Sequence, residues 1–373
     1  MKTTFFFFLL MTIYPYALYP LLVVAWARVV NRKWRTSAYQ PMITLIISVY
    51  NEEKIIRAKI ENALSLDYPE ELLEILVVSD GSTDKTEKIV ASFNDPRVRL
   101  LAFERAGKTA CLNWAVAEAK GDVLVFTDAN SMFPPQALTK IARNFADQEI
   151  GLVTGWTRYQ RPGSNLEEAP GVYARLERII KQKESLISSC VGADGAIFAV
   201  RRGLYCSLEE HDINDFVIPL NVVVQKRRAV LDPEVYCLEE PAQGSGKEFS
   251  RQVRITNRTL GAIRRNTSFL NPFRYGSFAF FLLSHKVLRF MVPFFAFGAL
   301  LTSLLLMSAG LFYVLVFAGM CLLILAGIAG LLGLAHSKII DLCAAFLMTN
   351  AAYMVGWIRF ITGRADTLWT PRR

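Results

Sequence analysis

Apolar positions along the chain fall into three regimes. Residues 5–30 are almost uninterrupted apolar sequence, and so is most of 278–361. Between them lie about 240 residues of ordinary globular composition, long enough for one sizeable core. The first stretch has spanning length and no small-residue cleavage pattern after it, so it predicts an uncleaved anchor. In the central region, Met42–Val49, Leu73–Ser79, Val98–Phe103 and Val123–Thr127 are near-continuous apolar runs, the pattern of parallel strands buried on both faces. Residues 53–65, 84–93 and 109–119 carry helical spacing between them. Strand–helix–strand repetition predicts a doubly wound α/β sheet, and such sheets bind ligands at the carboxyl ends of their strands. Beyond it, 161–187 predicts a charged helix, Gly195–Val200 a short strand, 214–226 a helix and 246–267 a basic amphipathic helix. Residues 278–290 mix Phe280, Phe281, Leu282 and Leu283 with His285, Lys286 and Arg289, which suits a helix lying in a membrane interface. Segments 291–308 and 311–334 are long enough to span, with a tight hairpin between them. The pattern thus divides the chain into an anchor (1–35), an α/β domain (36–268), and interfacial helices, a spanning hairpin and a tail (269–373).

Composition agrees: 53% of the residues are hydrophobic. The net charge is +9, and many basic residues flank apolar segments: Arg28, Arg32, Lys33 and Arg35, then the run from Arg251 to Arg274. They suit anionic lipid head groups, and some suit phosphate. The bias of positive charge places the N-terminus outside and residue 31 onward in the cytoplasm, at a bacterial-type inner or plasma membrane. No basic-aromatic motif points to nucleic acid. Six cysteines form no CxxC pair, which argues for a reducing compartment. Three widely separated histidines leave a hard metal ion held by oxygen as the metal chemistry to expect. The tail carries Arg364, Arg372 and Arg373, which favour the cytoplasmic side. The apolar 339–361, with Asp341, Asn350 and Arg359, is therefore expected to lie in that interface; an ordinary further span is the alternative.

Each strand run ends in a polar cluster: Ser48–Glu53, then Ser79-Asp80-Gly81-Ser82-Thr83-Asp84, then Thr127-Asp128-Ala129-Asn130-Ser131. Any one of these could cap a helix. Acids at several strand ends of one sheet converge on one edge, where they need a cation or a ligand. Asp128 and Asn130 can together hold Mg²⁺ or Mn²⁺, with a diphosphate completing the shell. Gly107-Lys108-Thr109 imitates a P-loop but lacks the glycine five residues earlier, where Ala102 stands. Lys108 is left as a lone lysine at a helix start facing the acidic edge.

In order and spacing these motifs, with Asn113 following Gly107-Lys108, resemble the family 2 glycosyltransferases of the GT-A fold. Within that family they look like the membrane-bound branch of cellulose, chitin and hyaluronan synthases. Gly192-Ala193-Asp194-Gly195-Ala196 resembles the branch's acceptor-side segment. Asn214-Asp215-Phe216 resembles its catalytic-base motif, with Asn in place of an acid. Arg251-Gln252-Val253-Arg254-Ile255 resembles Gln-x-x-Arg-Trp, with Arg for Gln and Ile for Trp. Trp369-Thr370-Pro371-Arg372 is faintly similar to the gating segment.

The resemblance implies a Rossmann-like nucleotide-sugar domain flanked by transmembrane and interfacial helices. It implies inverting transfer of a sugar from a UDP-sugar to a polysaccharide or lipid-linked glycan, with Mg²⁺ or Mn²⁺. Tyr50, Glu52 and Asp80 would hold uracil and ribose. Lys108 and Asp128 would face the donor, with Asp128 and Asn130 at the metal, and Arg251 and Arg254 would grip the diphosphate. Asp215 would be the base, Asp194 and Gly195 would line the acceptor side, and Trp369 and Arg372 would gate. The departures leave both long-chain synthesis and transfer of one or a few sugars open. The rival readings are a polyprenyl-phosphate monoglycosyltransferase, whose acceptor phosphate needs no strong base, and a non-enzymatic membrane scaffold.

Overall fold

The N-terminal apolar stretch does not fold as one rod. In the structure, a computed structural model, Lys2–Ile13 (α1) and Leu18–Val30 (α2) meet at 61°. Pro15 lies in the break; it lacks an N–H and its ring clashes with the preceding turn, so the helix cannot run through. The single anchor expected over 5–30 is thus a bent pair. The structure describes residues 1–160, 167–168, 171–241 and 245–363. The described residues divide into two compact units, 23–241 in one, and 1–22 with 245–363 in the other.

The first unit is built on a sheet. All seven residues of Ile43–Val49 (β1) are buried. The apolar side chains among them each contribute about 1.5–3 kcal/mol, enough to fix a strand in a core without help from a turn. Ile56–Leu64 (α3) follows, then Leu73–Asp80 (β2), Thr86–Ala91 (α4), Val98–Phe103 (β3), Lys108–Glu118 (α5), Val123–Asp128 (β4) and Ala137–Ala142 (α6). These four strands match the expected runs to within a residue at either end. Ile150–Gln160 (β5), the short Glu167–Glu168 (β6), Val172–Ser185 (α7), Phe198–Arg201 (β7), Asn214–Val224 (α8) and Arg228–Glu239 (β8) complete the unit. The eight strands run in the order β3-β2-β1-β4-β7-β5-β6, and β8 pairs with β5. Strands β1, β2, β3 and β4 are mutually parallel, with Ser48 opposite Asp128 and Val49 opposite Ser79. Their carboxyl ends therefore share one edge. Strand β7 is antiparallel to β4, with Phe198 opposite Phe126, so the turn that enters β7 arrives at that same edge. Strand β5 is antiparallel to β7, with Thr154 opposite Phe198, so its second half leaves there too.

The second unit is helical: Ser245–Arg265 (α9), Pro272–Tyr275 (α10), Ser277–Leu282 (α11), Leu288–Leu305 (α12), Leu311–Leu331 (α13) and Lys338–Ile361 (α14) follow in order. Small residues set its close packing. A Cβ at Gly356 of α14 would lie 2.6 Å from the Thr256 side chain of α9, and one at Gly327 of α13 would lie 3.0 Å from the Cys343 carbonyl of α14. Among the described residues, three helical segments are long and apolar enough to cross a membrane, Ser277–Leu305, Leu311–Leu331 and Lys338–Ile361, or four if the bent α1–α2 pair counts as one span. The first of these takes in residues 278–290, where an interfacial helix is expected. That segment joins α12 through a π-helical turn at Leu283–Val287, and His285 and Arg289 are buried inside the unit. The Ser284 hydroxyl is 2.9 Å from the Tyr14 hydroxyl. The last apolar segment is one continuous helix of spanning length.

Candidate active site

Asp80 ends β2 and is 2% exposed. Its Oδ1 accepts from the backbone N–H of Ala106 at 2.8 Å and of Gly107 at 2.9 Å. That answers why Gly107-Lys108-Thr109 is no P-loop: the amides that would cradle a phosphate are taken by a carboxylate. Gly107 has φ of 91°, a conformation that favours glycine, and this lets α5 begin at once on Lys108. Asp80 Oδ2 faces the Arg105 guanidinium at 3.2 Å, and the same guanidinium lies over the Tyr50 ring, 3.2 Å from its centroid. Tyr50, Asp80 and Arg105 thus form one stacked, charge-paired wall. Cys111 closes its floor, with Sγ 3.4 Å from Asp80 Oδ1; burial, with Asp80 adding, pushes its thiol up to about 12 and keeps it protonated.

The loops after β1 and β2 are locked together by their own polar residues. The Asn51 N–H donates to Ser82 Oγ at 3.1 Å, the Thr83 N–H to Asn51 Oδ1 at 2.7 Å, and the Glu52 N–H to Thr86 Oγ1 at 2.8 Å. Asp84 Oδ1 accepts from the Thr86 N–H at 2.9 Å. Asp84 is therefore a cap for α4, while Tyr50 and Glu52 are carried on a rigid loop. Asn113 is structural: its side chain bonds Tyr205 Oη at 2.8 Å and the Leu208 N–H at 2.9 Å.

At the end of β4, Lys108 Nζ donates to Asp128 Oδ1 at 2.5 Å, with both side chains mostly buried. Asn130 is half-buried two residues on. Among the described residues no group of three or more His, Cys, Asp or Glu gathers as a metal cage. Asp128 and Asn130 offer one carboxylate and one amide, a donor set that fits a hard divalent ion bound mainly through the phosphates of a substrate.

Across the edge, the turn before β7 brings in the other half. Asp194 accepts from the Thr157 N–H at 2.9 Å, the Thr157 hydroxyl at 3.0 Å and the Ala196 N–H at 3.1 Å. In this geometry it shapes the turn. Asp215 lies in the first turn of α8; its backbone carbonyl accepts from the Ala193 N–H at 2.6 Å. A Cβ on Gly195 would sit 3.0 Å from Asp215 Oδ2, so the glycine leaves room for that carboxylate. Lys181 of α7 donates to the Ala193 carbonyl at 3.2 Å. Burial works against its charge, but Glu177, Asp194 and Asp215 outweigh it, and the ammonium titrates above its usual range. The loop before α8 is tied to α5 by the Thr109 hydroxyl, 3.2 Å from the Asp212 carbonyl.

Residues 44–205, which hold all of these strand ends but the Asp215 turn, match the model of glycosyl transferase family 2. Over those residues the chain matches as a family 2 glycosyltransferase domain. Among curated proteins it is 29% identical over 156 residues to a Synechocystis β-monoglucosyldiacylglycerol synthase, covering 38% of this chain and 32% of that one. It is 24% identical over 220 residues to a Staphylococcus aureus poly-β-1,6-N-acetyl-D-glucosamine synthase, covering 57% of this chain and 53% of that one. The matches thus span between about a third and a half of the relatives' length. Among solved structures, the mannosyltransferase PcManGT of Pyrobaculum calidifontis, in complex with GDP-Man and Mn²⁺, superposes with a TM-score of 0.73 over 97% of this chain and 99% of that one, at 21% identity. The fold is GT-A, as the motifs imply.

The sheet therefore brings Tyr50, Glu52, Asp80, Lys108, Asp128, Asn130, Asp194, Gly195 and Asp215 to one edge. Arg251 and Arg254 lie on α9 in the other unit, where Arg251 pairs with Glu248 at 3.1 Å. Trp369 and Arg372 lie outside the described residues. Arg105 was not foreseen. It stands beside a glycine-lysine pair that draws notice first, and only the register of β2 against the following loop brings it to Asp80 and Tyr50.

Proposed function

We propose that this protein is a membrane-bound, inverting glycosyltransferase that moves a sugar from a UDP-sugar to a hydroxyl of a growing glycan or lipid-linked acceptor. The observation that carries the reading is the Lys108–Asp128 pair, set on the same sheet edge as the Tyr50–Arg105–Asp80 wall and Asp215. Tyr50, Glu52 and Asp80 suit the nucleoside, and Lys108 suits the diphosphate. Asp215 takes the proton of the attacking hydroxyl as its oxygen bonds to the anomeric carbon. The bond from that carbon to the diphosphate breaks on the opposite face, which inverts the configuration. Lys108 offsets the charge that grows on the leaving nucleoside diphosphate. A Mg²⁺ or Mn²⁺ held by Asp128 and Asn130 would supply further positive charge there.

The membrane part rests on the second unit. From Phe249 to Ile340 there is no Asp or Glu, against nine Lys and Arg residues. Arg264, Arg265 and Arg274 are exposed, and Phe273 is 99% exposed, four residues before the candidate span that begins at Ser277. An exposed aromatic next to Arg274, in a stretch with this excess of basic residues, suits a surface of anionic lipid with the catalytic domain on the cytoplasmic face.

The test is turnover of a panel of nucleotide sugars by the purified full chain with Mn²⁺. The expected result is release of UDP from one of them, and a loss of about 100-fold or more in Asp128→Ala. Turnover that is equal in wild type and Asp128→Ala refutes the site.

A further inference from the structure

Lys59 occupies a place that its helix reserves for apolar side chains. On α3 the buried residues are Ile56, Lys59, Ile60 and Ala63, one face at three- and four-residue spacing, and Lys59 is 0% exposed. Burial drives its ammonium down to about 8, with Cys237, Asp128 and Glu239 opposing. A core lysine is costly unless its ammonium is used. The partners of this one are specific. Nζ donates to Thr127 Oγ1 at 3.2 Å and to the Ser131 carbonyl, and it lies 4.2 Å from the centroid of the Phe133 ring. Thr127 is the residue before Asp128, and Ser131 is the residue after Asn130.

We propose that Lys59 is a positioning residue for the divalent cation: by holding Thr127 and Ser131 it fixes the bend that aims Asp128 and Asn130. The far side of the bend is pinned from β8. The Ser131 hydroxyl donates to Glu239 Oε1 at 2.6 Å, and Met132 and Leu238 exchange backbone hydrogen bonds of 2.8 Å. Ala129, in the middle of the bend, is 2% exposed, so the loop is clamped above, below and at its centre. Asp128 and Asn130 provide few protein ligands, so cation affinity depends on how well those two are oriented. Residues that orient metal ligands typically change affinity by about 10- to 100-fold when removed.

The inference rests on the cation role of Asp128 given above, and the test separates the two. Mn²⁺ binding to the detergent-solubilised full chain is followed by electron paramagnetic resonance at saturating UDP, with UDP affinity measured in the absence of metal. Lys59→Met should bind UDP as the wild type does and lose about tenfold in Mn²⁺ affinity. Its turnover at saturating Mn²⁺ should recover towards that of the wild type, which a general loss of core packing does not allow. Should Lys59→Met not fold, Thr127→Val removes one arm of the clamp and should shift Mn²⁺ affinity the same way by about threefold. If Asp128→Ala weakens Mn²⁺ and neither clamp variant does, Lys59 has only a structural role and the inference falls alone. If Asp128→Ala binds Mn²⁺ as the wild type does, the cation site and the inference fall together.

Discussion

Arg105 holds the nucleoside wall together through two different faces of one group. Its edge meets Asp80 at 3.2 Å and its plane covers Tyr50. A planar guanidinium can do both; an ammonium cannot. Arg105→Ala should weaken nucleotide binding by about tenfold, and Arg105→Lys should restore little of it, as measured by calorimetric titration with UDP. Full recovery with lysine would show that only the charge matters. At this scale the sequence showed the residues that chemistry makes conspicuous, acids at strand ends and a lysine after glycine. It hid Lys59 and Arg105, because a lone Lys on an amphipathic helix and a lone Arg in a loop look like solvated surface. Only register and burial reveal their partners.

Among the elements, β1, β2 and β4 were legible because burial on both faces leaves a short, near-continuous apolar run, and β3, a half-buried edge strand, keeps enough apolar positions to read the same way. Strands β5 and β8 were not. The second half of β5, Trp156–Gln160, is polar and half-buried, and β8 carries Arg228, Asp232, Pro233 and Glu234. Arg228 is nevertheless buried, with its guanidinium on the Ser185 carbonyl at 2.7 Å and the Ser188 carbonyl at 3.1 Å. The end of the parallel strands remote from the site has its own staple. Glu74 accepts from the Thr44 hydroxyl at 2.7 Å and the Lys120 N–H at 2.9 Å, and it pairs with Arg99. Burial would raise its carboxyl, but the Lys120 N–H, Thr44 and Arg99 together hold it below the usual glutamate value. A carboxyl depressed on folding stabilises the fold above its unfolded pKa and loses that contribution as pH falls through the folded one. Glu74→Gln should therefore cost about 2 kcal/mol near neutral pH, in urea unfolding of the wild type and variant. The gap should close in acid below the usual glutamate value, with UDP affinity unchanged at neutral pH. A gap that persists in acid would show that the carboxylate charge is not what the staple uses.

On the scale of the whole molecule, the sequence conveyed the succession of apolar stretch, α/β domain and apolar helices, but not the bend at Pro15 or the π-helical turn at Leu283–Val287. Both depend on a local break in a helix that apolar composition alone does not display. If α14 is an ordinary span, a cysteine placed at Ser337 and one placed at Thr362 should react with an impermeant maleimide from opposite sides of the membrane, after the native cysteines are replaced. Labelling of both from the same side returns α14 to the interface. The central claim, however, is that one sheet edge performs the transfer and that Asp215 accepts the proton there. Single-turnover sugar transfer by wild type and Asp215→Asn, with the active nucleotide sugar and saturating Mn²⁺, tests it most directly. The account predicts a fall of about 100-fold or more in the variant with donor binding unchanged. An undiminished rate in Asp215→Asn would contradict it and point to an acceptor, such as a lipid phosphate, that needs no base.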